Sequence, residues 1–204
     1  MANNEVSKPS RYNYHNSNAY DFANAYNGDS DGMHFSASQG IVIYDGCGFS
    51  DINSSSIIVG YKLSSECRTF SAYTGSTSYV RFRLVTDYYN GSTTSSSNNG
   101  YTSIGGEHTI YSQSGADTTY RTSEYSNMDT SSTEVQWLNS NIDKVLGGTA
   151  FGFRMTGQRA YLRKLTLTLY YINSAMFVGG NGVSSVYVGG TKAKAVYIGS
   201  TKIL

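Results

Sequence analysis

The stretch of sequence that decides the fold is residues 79–85, YVRFRLV. Val80, Phe82 and Leu84 alternate with Arg81 and Arg83, and successive side chains of a β-strand point to opposite faces of a sheet. One face of this strand is therefore apolar and the other cationic. The pattern predicts a strand that covers a hydrophobic core with one side and faces solvent with the other.

Similar runs recur from about residue 36 to residue 172 between turns rich in Gly, Ser and Asn. The predicted strands are residues 41–44, residues 56–63, HTIYSQ, TTYRTSEY, TAFGFRM with Phe151, Phe153 and Met155 on one face, and YLRKLTLTLYY with Leu165, Leu167 and Leu169 alternating with Thr166, Thr168 and Tyr170. Short strands with this spacing are typical of a sandwich or jelly roll. We predict an all-β fold with a jelly-roll-like β-sandwich over 36–172, and we expect the last two strands to be neighbours in its core.

Two segments interrupt the strand pattern. Residues 89–106, YNGSTTSSSNNGYTSIGG, lack the apolar residues of a core strand and predict a long loop. Residues 133–148, TEVQWLNSNIDKVLGG, predict a helical turn with Ser140 or Asn141 as its cap and Gly147 as its end. We interpret Trp137, the single tryptophan, as a core or corner residue in preference to a sugar platform.

The two ends of the chain differ from the middle. Residues 1–35 contain few aliphatic residues, many Asn and Tyr, and the turn-rich run YNGDSDGMHF. This composition predicts an N-terminal arm that is extended or ordered by a partner.

Residues 173–204 form three units with a ten-residue period, MFVGGNGVSS, VYVGGTKAKA and VYIGSTKIL. Each unit predicts a short strand, a glycine turn and a second strand, so that the segment is a small β-hairpin repeat element. Single hairpins are marginal in water, and we expect other copies of the chain to bury their apolar faces in a twofold or threefold homo-oligomer, with a trimer favoured. The predicted assembly residues are Val186, Tyr187, Val188, Val196, Tyr197, Ile198, Ile203 and Leu204.

The run VYVGGTKAKAVYIGSTKIL resembles the C-terminal repeats of tail and minor structural proteins from bacteriophages and prophages of Gram-positive gut bacteria. The order of WLNSNIDKVLGG, FGFRM and LTLTLYY is similar to the end of a β-sandwich domain in the same class of virion proteins. The first repeat, MFVGGNGVSS, departs from the pattern because it lacks lysine. The resemblance implies a virion component in a tail or host-facing appendage that contacts other virion proteins, and it implies no catalytic residue.

Bulk composition excludes several classes of partner. The net charge is +1 with 14% charged residues, which favours no nucleic-acid partner, and Lys192, Lys194 and Lys202 are interpreted as protection of exposed strand edges. The sequence has no apolar run long enough for membrane insertion and no signal peptide at its N-terminus, so we expect synthesis in the host cytoplasm and residence in the virion. Cys47 and Cys67 are predicted to be buried free thiols instead of a disulfide or zinc ligands.

The sequence offers one candidate cation site and no catalytic motif. Asn27, Asp29 and Asp31 have the spacing that begins a calcium loop, but Ser38 stands where the bidentate Glu belongs. We therefore predict a hydrated turn there, with no metal and no cofactor. Neither a nucleophile elbow nor a paired set of carboxylates is evident, and Glu107 and His108 are adjacent in a predicted strand, which places them on opposite faces. We expect no enzyme activity.

Tyrosines in polar loops give the remaining functional signal. Aromatic rings stack on sugars while Ser, Thr and Asn supply adaptable hydrogen bonds. The candidate glycan-binding residues are Tyr88, Tyr89, Tyr101, Tyr120 and Tyr125. The sequence predicts a virion structural protein that assembles with itself and binds a host surface polysaccharide. The alternatives are a bacterial carbohydrate-binding module or adhesin and, less favoured, an enzyme that degrades wall polysaccharide.

Overall fold

A computed structural model describes residues 2–27, 31–69, 76–87, 101–148 and 150–172, together with four two-residue strands in the C-terminal segment. Within residues 2–172 the described elements are eleven strands and three short helices. The strands are β1 (Asn3–Ser7), β2 (Arg11–His15), β3 (Ala19–Tyr20), β4 (Met33–Phe35), β5 (Gly40–Asp45), β6 (Ile57–Thr69), β7 (Thr77–Thr86), β8 (Thr102–Ser114), β9 (Arg121–Asn127), β10 (Phe151–Gln158) and β11 (Ala160–Ile172). The helices are α1 (Asn24–Asn27), α2 (Thr133–Ser140) and α3 (Ile142–Gly147).

The strands form two antiparallel sheets that face each other. The six-stranded sheet has the order β3-β4-β11-β6-β9, with β1 also paired to β11. The five-stranded sheet has the order β2-β5-β10-β7-β8. This architecture confirms the predicted all-β sandwich.

Side-chain alternation separates the core from the outer faces. On β7, Val80, Phe82 and Leu84 are buried, while Arg81 and Arg83 remain partly exposed. β10 repeats this pattern, with Phe153 and Met155 in the core on either side of Arg154. The prediction from YVRFRLV is confirmed, because a period of two gives each strand one apolar and one polar face.

The predicted neighbours β10 and β11 are not hydrogen-bonded partners. β10 pairs with β5 and β7, whereas β11 pairs with β1, β4 and β6 in the other sheet. The chain crosses between the sheets at Arg159, which has a φ of 53° and donates its backbone N–H to the carbonyl of Ser36 at 2.8 Å. Alternation predicts which side chains are buried but does not predict the sheet to which a strand belongs.

Phe35 on β4 links the two sheets through close packing. Its ring lies over Gly40 and Gly157, which are opposite each other on β5 and β10. A Cβ atom at either glycine would overlap the ring. The backbone φ of Gly157 is not left-handed, so the requirement for glycine there is steric.

The N-terminal segment differs from the predicted separate arm. β1 pairs with β11, β2 pairs with β5, and β3 pairs with β4, so the described N-terminal residues, 2–27 and 31–35, contribute to both sheets. Met33 and Phe35 are fully buried in the core. Backbone N–H and C=O groups of any residue can pair in a sheet, so this segment joins both sheets although it contains few aliphatic residues.

The predicted loop over residues 89–106 is also partly wrong. Thr102–Gly106 belong to β8, where Ile104 is buried opposite Leu84. A register shift with Gly105 at φ 73° interrupts the ladder here. Gly105 and Gly106 therefore lie at an irregularity within β8 and not in a loop.

The predicted helical turn is two helices. Ser132 caps α2 by accepting a hydrogen bond from the N–H of Val135, and Asn141 is the N-terminal cap residue of α3, as predicted. The end of α3 is set by Gly148 at φ 62° instead of Gly147. Trp137 is half-buried against the core and stacks on Phe151 with ring centroids 5.9 Å apart, in agreement with its predicted core role.

The described residues of the C-terminal segment form two antiparallel strand pairs, which we call the C-terminal hairpins. β12 (Tyr187–Val188) pairs with β13 (Thr191–Lys192), and β14 (Tyr197–Ile198) pairs with β15 (Thr201–Lys202). The two hairpins have equivalent register, as the ten-residue period predicts. The first repeat and the predicted assembly residues Val186, Val196, Ile203 and Leu204 lie outside the described residues.

Both cysteines are buried free thiols, as predicted. Burial raises the pKa of each to about 12, with the nearby Asp45 adding to the effect at Cys47. Among the described helices, none has the length and apolarity needed to cross a membrane.

We predict that Gly157→Ala lowers the free energy of unfolding by about 1–3 kcal/mol, because the added methyl group overlaps the Phe35 ring. In a Phe35→Ala background, itself costing about 3–5 kcal/mol, the same substitution should cost much less. Urea unfolding of the single and double variants measures this coupling. Gly48→Ala is the control, since nothing lies within 4 Å of the added atom. Equal costs in both backgrounds would contradict the proposed contact.

Candidate functional site

The outer face of the five-stranded sheet carries a cluster of arginines. On the central strand β10, Arg154 lies opposite Arg83 of β7, and Thr156 lies opposite Arg81. All four residues alternate with buried core residues and therefore point away from the core. We call Arg81, Arg83 and Arg154 the arginine cluster.

One carboxylate partly neutralises the arginine cluster. Glu107 on β8 approaches Arg154 at 3.4 Å and Arg81 at 3.5 Å. Arg83 donates from Nη1 to the hydroxyl of Ser103 at 3.0 Å. Three positive charges and one negative charge give this group of side chains a net charge of 3 − 1 = +2, compared with +1 for the whole chain. The cluster is therefore a local concentration of positive charge that the overall composition does not reveal.

A bulge in β8 places Glu107 on this face. Leu84 pairs with Ile104 and Phe82 pairs with His108, so that Gly105, Gly106 and Glu107 together lie opposite Arg83. Bulges redirect side chains at the cost of local pairing. The sequence prediction that Glu107 and His108 point to opposite faces is confirmed, because Glu107 contacts the arginines while His108 packs near Phe82 in the interior.

Glu134 of α2 stabilises the β8 bulge by hydrogen bonds on its core side. Its Oε1 accepts hydrogen bonds from the N–H of Gly106 at 3.1 Å and from Nε2 of His108 at 3.1 Å. A Cβ atom at Gly105 would overlap the Glu134 side chain, and the φ of 73° also favours glycine. The carboxylate only accepts when ionised, so His108 carries its proton on Nε2.

The pKa of Glu134 reflects two opposing effects. Burial raises the pKa of this carboxyl, but hydrogen bonds from its own backbone N–H, from His108 and from Gly106 outweigh that effect and leave the pKa lowered. The ionised carboxylate is therefore the form that stabilises the bulge.

Two tyrosines flank the arginine cluster. The Arg81 guanidinium lies 4.6 Å from the ring centre of Tyr79, and the Arg154 guanidinium lies 5.4 Å from that of Tyr101. Tyr101 also packs on a small apolar cluster that contains Ile43 and Val85. The face thus combines aromatic rings with guanidinium donors, a combination suited to binding a polyhydroxylated ligand.

The five predicted glycan-binding tyrosines do not form one surface. Tyr88 and Tyr89 lie outside the described residues. Tyr101 lies beside the arginine cluster. Tyr125 packs against the core and stacks on His108 at 4.1 Å, which gives it a structural role.

Tyr120 lies near the outer face of the six-stranded sheet, and its ring is already covered. The guanidinium groups of Arg163 and Arg68 lie 3.9 Å and 5.0 Å from its centre, and its hydroxyl donates to the carbonyl of Asp31 at 2.7 Å. Arg68 also lies 3.9 Å from the ring centre of Tyr161. Tyr120 therefore stacks with arginines of this same chain, and its ring is not available as a platform for a ligand.

The predicted turn at residues 27–32 is only partly described. Asn27 ends α1, Asp31 accepts the hydroxyl of Tyr120 through its backbone, and Asp29 lies outside the described residues. Among the residues that the structure describes, no group of three or more His, Cys, Asp or Glu side chains is arranged to hold a metal ion.

A pocket of about 260 Å³ lies at one end of the sandwich, between Gly46–Gly48 and Leu146–Gly148. Arg11 lines it and forms an ion pair with Asp45 at 2.6 Å. Cys47 also lines it, but its raised pKa of about 12 keeps the thiol protonated at neutral pH. Because the thiolate is the reactive form of cysteine, this pocket offers no nucleophile from Cys47.

Of the residues at this site, sequence reasoning predicted only Tyr101 and missed the three arginines, Tyr79, Thr156 and Glu107. The available signal was the alternation in YVRFRLV and TAFGFRM, which puts Arg81, Arg83 and Arg154 on polar faces. Their proximity depends on the pairing of β7 with β10. Strand pairing is a long-range contact that local alternation does not specify.

No protein-family model matches this chain, and comparisons with curated proteins and with solved structures find no significant match. Fold and geometry define the chain as an all-β sandwich with a cationic sheet face flanked by tyrosines.

We predict that Glu134→Gln lowers the free energy of unfolding at pH 7 by about 1–3 kcal/mol, because charge-assisted hydrogen bonds to the bulge are weakened. The folded-state pKa of Glu134 is lowered from 4.5, so its stabilising contribution is present above pH 4.5 and is lost as the pH falls through the folded-state pKa. The difference between wild type and variant should therefore shrink in acid. Chemical unfolding from pH 7 to pH 3 measures it.

The control for this experiment is Glu124→Gln. Glu124 is exposed on β9 and pairs with Lys62 at 3.2 Å on the surface. Exposed pairs contribute little to stability, so this variant should remain close to wild type at every pH. A gap between Glu134→Gln and wild type that stays constant across the pH range would contradict the assignment.

Proposed function

We propose that this chain is a structural component of a bacteriophage or prophage particle, in a tail or host-facing appendage. In this proposal it self-assembles through its C-terminal hairpins, contacts other virion proteins, and binds host-surface glycans through the outer face of the five-stranded sheet. It acts as a binding and assembly protein without catalysis.

The observation that carries glycan binding is the arginine cluster flanked by Tyr79 and Tyr101. Sugars present apolar ring faces and many hydroxyl groups, which match aromatic rings and guanidinium donors respectively. Strands form the floor of the face, and groups on strands are held more rigidly than groups on loops.

Assembly is supported by the repeat segment. The backbone pairing of β12 with β13 and of β14 with β15 gives two separate two-stranded sheets. Isolated two-stranded hairpins are marginally stable, so packing against other copies is a direct way to stabilise them. The resemblance of this segment to repeats of virion proteins agrees with that role.

We also propose the jelly roll as the finer class of the sandwich. Strands β4 to β11 form the orders β4-β11-β6-β9 and β5-β10-β7-β8, so successive strands from β4 to β7 alternate between the two sheets. Two four-stranded sheets formed from eight strands are expected for that class. β1, β2 and β3 are additions at the edges.

A bacterial carbohydrate-binding module or adhesin is the second candidate, because the same sheet face would serve it. The two candidates differ in what the C-terminal hairpins do. A particle component needs them for assembly, whereas an isolated binding module does not.

We predict that Tyr79→Ala and Tyr101→Ala each weaken binding to host cells and to purified host polysaccharide by up to about tenfold, from the loss of one aromatic contact. The matched control is Tyr20→Ala, which removes an exposed tyrosine from the six-stranded sheet. Calorimetry and a cell-binding assay provide the readout. Equal loss in the control, or no binding by wild type on a broad glycan array, would count against this function.

We predict that removal of residues 173–204 converts a stable oligomer into a well-folded monomer. Light scattering measures the mass of the full chain and of the chain ending at Ile172. The double variant Val188→Asp/Ile198→Asp keeps the length and places charges at equivalent positions of the two hairpins, and it should also reduce the mass. If the full chain is itself a monomer, the binding-module candidate is favoured.

A further inference from the structure

The arginine cluster has more positive charge than its neighbours neutralise. Arg83 and Arg154 are direct cross-strand partners, and like charges at such positions destabilise a sheet. Among the described residues, no carboxylate lies within ion-pair distance of Arg83, whose Nη1 instead donates a hydrogen bond to the neutral hydroxyl of Ser103. An anionic ligand bound between Arg83 and Arg154 would reduce the electrostatic repulsion between their guanidinium groups.

In the part of the chain that the structure describes, two buried polar atoms on the same face have no hydrogen-bond partner. These atoms are Nε of Arg83 and Oγ1 of Thr156. Thr156 has only 1% of its surface exposed, and it lies diagonally across from Arg83 on the adjacent strand. Buried polar groups without partners are costly in folded proteins, so this part of the sheet is not optimised for stability alone.

The remaining two arginines are held loosely. Glu107 contacts Arg154 and Arg81 at 3.4 and 3.5 Å, longer than the roughly 2.7–2.9 Å of a strong charge-assisted hydrogen bond. By comparison, the structural pair of Arg11 and Asp45 has a separation of 2.6 Å. The guanidinium groups of the cluster therefore keep donors for another anion.

We propose that the arginine cluster binds the anionic groups of an acidic glycan, a polyhydroxylated chain that carries carboxylate or phosphodiester groups. This inference rests on the proposed glycan-binding function and names its ligand class. Guanidinium forks match both kinds of anion through paired N–H donors. Tyr79 and Tyr101 flank the cluster and contact the sugar portion, which distinguishes this ligand from a free inorganic anion.

The test compares defined polymers on the full chain by calorimetry at low salt. Polygalacturonate supplies carboxylates, poly(glycerol phosphate) supplies phosphodiesters, and dextran is neutral. Binding of at least one acidic polymer is expected, with weakening at high salt because ions screen the attraction. The polymer that binds more tightly identifies the source of the anion.

Arg83→Gln is the main variant and should weaken acidic binding about ten- to a hundredfold, as expected for the loss of charged hydrogen bonds. Arg121→Gln is the matched control, with the same change of charge on β9 of the other sheet, where Arg121 pairs with Asp117. This control should bind like wild type. Arg83→Lys keeps the charge without the planar fork and should give an intermediate loss.

Thermal unfolding separates a binding role from a structural one. Removal of a like-charge pair should leave the melting temperature of Arg83→Gln unchanged or raised. A lowered melting temperature together with unchanged binding would overturn the inference and make Arg83 a structural residue.

The outcomes also separate this inference from the proposed function. Binding of dextran and acidic polymers with equal affinity, unaffected by Arg83→Gln, would overturn the acidic ligand and leave glycan binding in place. Host glycan bound with no effect of Tyr79→Ala, Tyr101→Ala or Arg83→Gln would overturn the site itself. Failure of wild type to bind any polymer or host glycan would overturn both.

Discussion

The crossing of the chain between sheets at Arg159 is the constraint on which the rest of the sandwich depends. β10 and β11 are consecutive in sequence, yet each is the strand around which one sheet is built. Because the two strands are tied at this point, their inward side chains must fill the space between the sheets. Phe35 fits this space only because Gly40 and Gly157 lack side chains. The outward side chains of β10, Arg154 and Thr156, are fixed as a consequence.

The same alternation that builds the core also builds the candidate site. Phe82 and Met155 anchor their strands in the interior, which leaves Arg81, Arg83 and Arg154 no orientation except toward the outside. Glu134 adds a second support from within, since it holds the β8 bulge that presents Glu107. A cationic surface on a sheet thus results from the packing beneath it.

Tyrosine serves different roles at different positions of this chain. Tyr44 is fully buried, and its hydroxyl donates to the carbonyl of Phe22 at 3.0 Å. Tyr120 is covered by arginines, whereas Tyr79 and Tyr101 flank the arginine cluster. The ring is apolar and the hydroxyl polar, so tyrosine suits core, interface and binding surface alike. The abundance of tyrosine in the sequence therefore suggests a binding role for some tyrosines but does not show which of them lie at a binding surface.

The sequence by itself determined the all-β class, the polar and apolar faces of β7 and β10, and the pairing within the C-terminal hairpins. These features depend on local alternation and short turns, which nearby residues specify. Only the tertiary structure showed that β1 to β4 belong to the sandwich, that β10 and β11 lie in different sheets, and that Thr102–Gly106 form part of a strand. The arginine cluster likewise required the tertiary structure, because Arg83 and Arg154 are distant in sequence and meet only through strand pairing, a long-range contact that local patterns leave open.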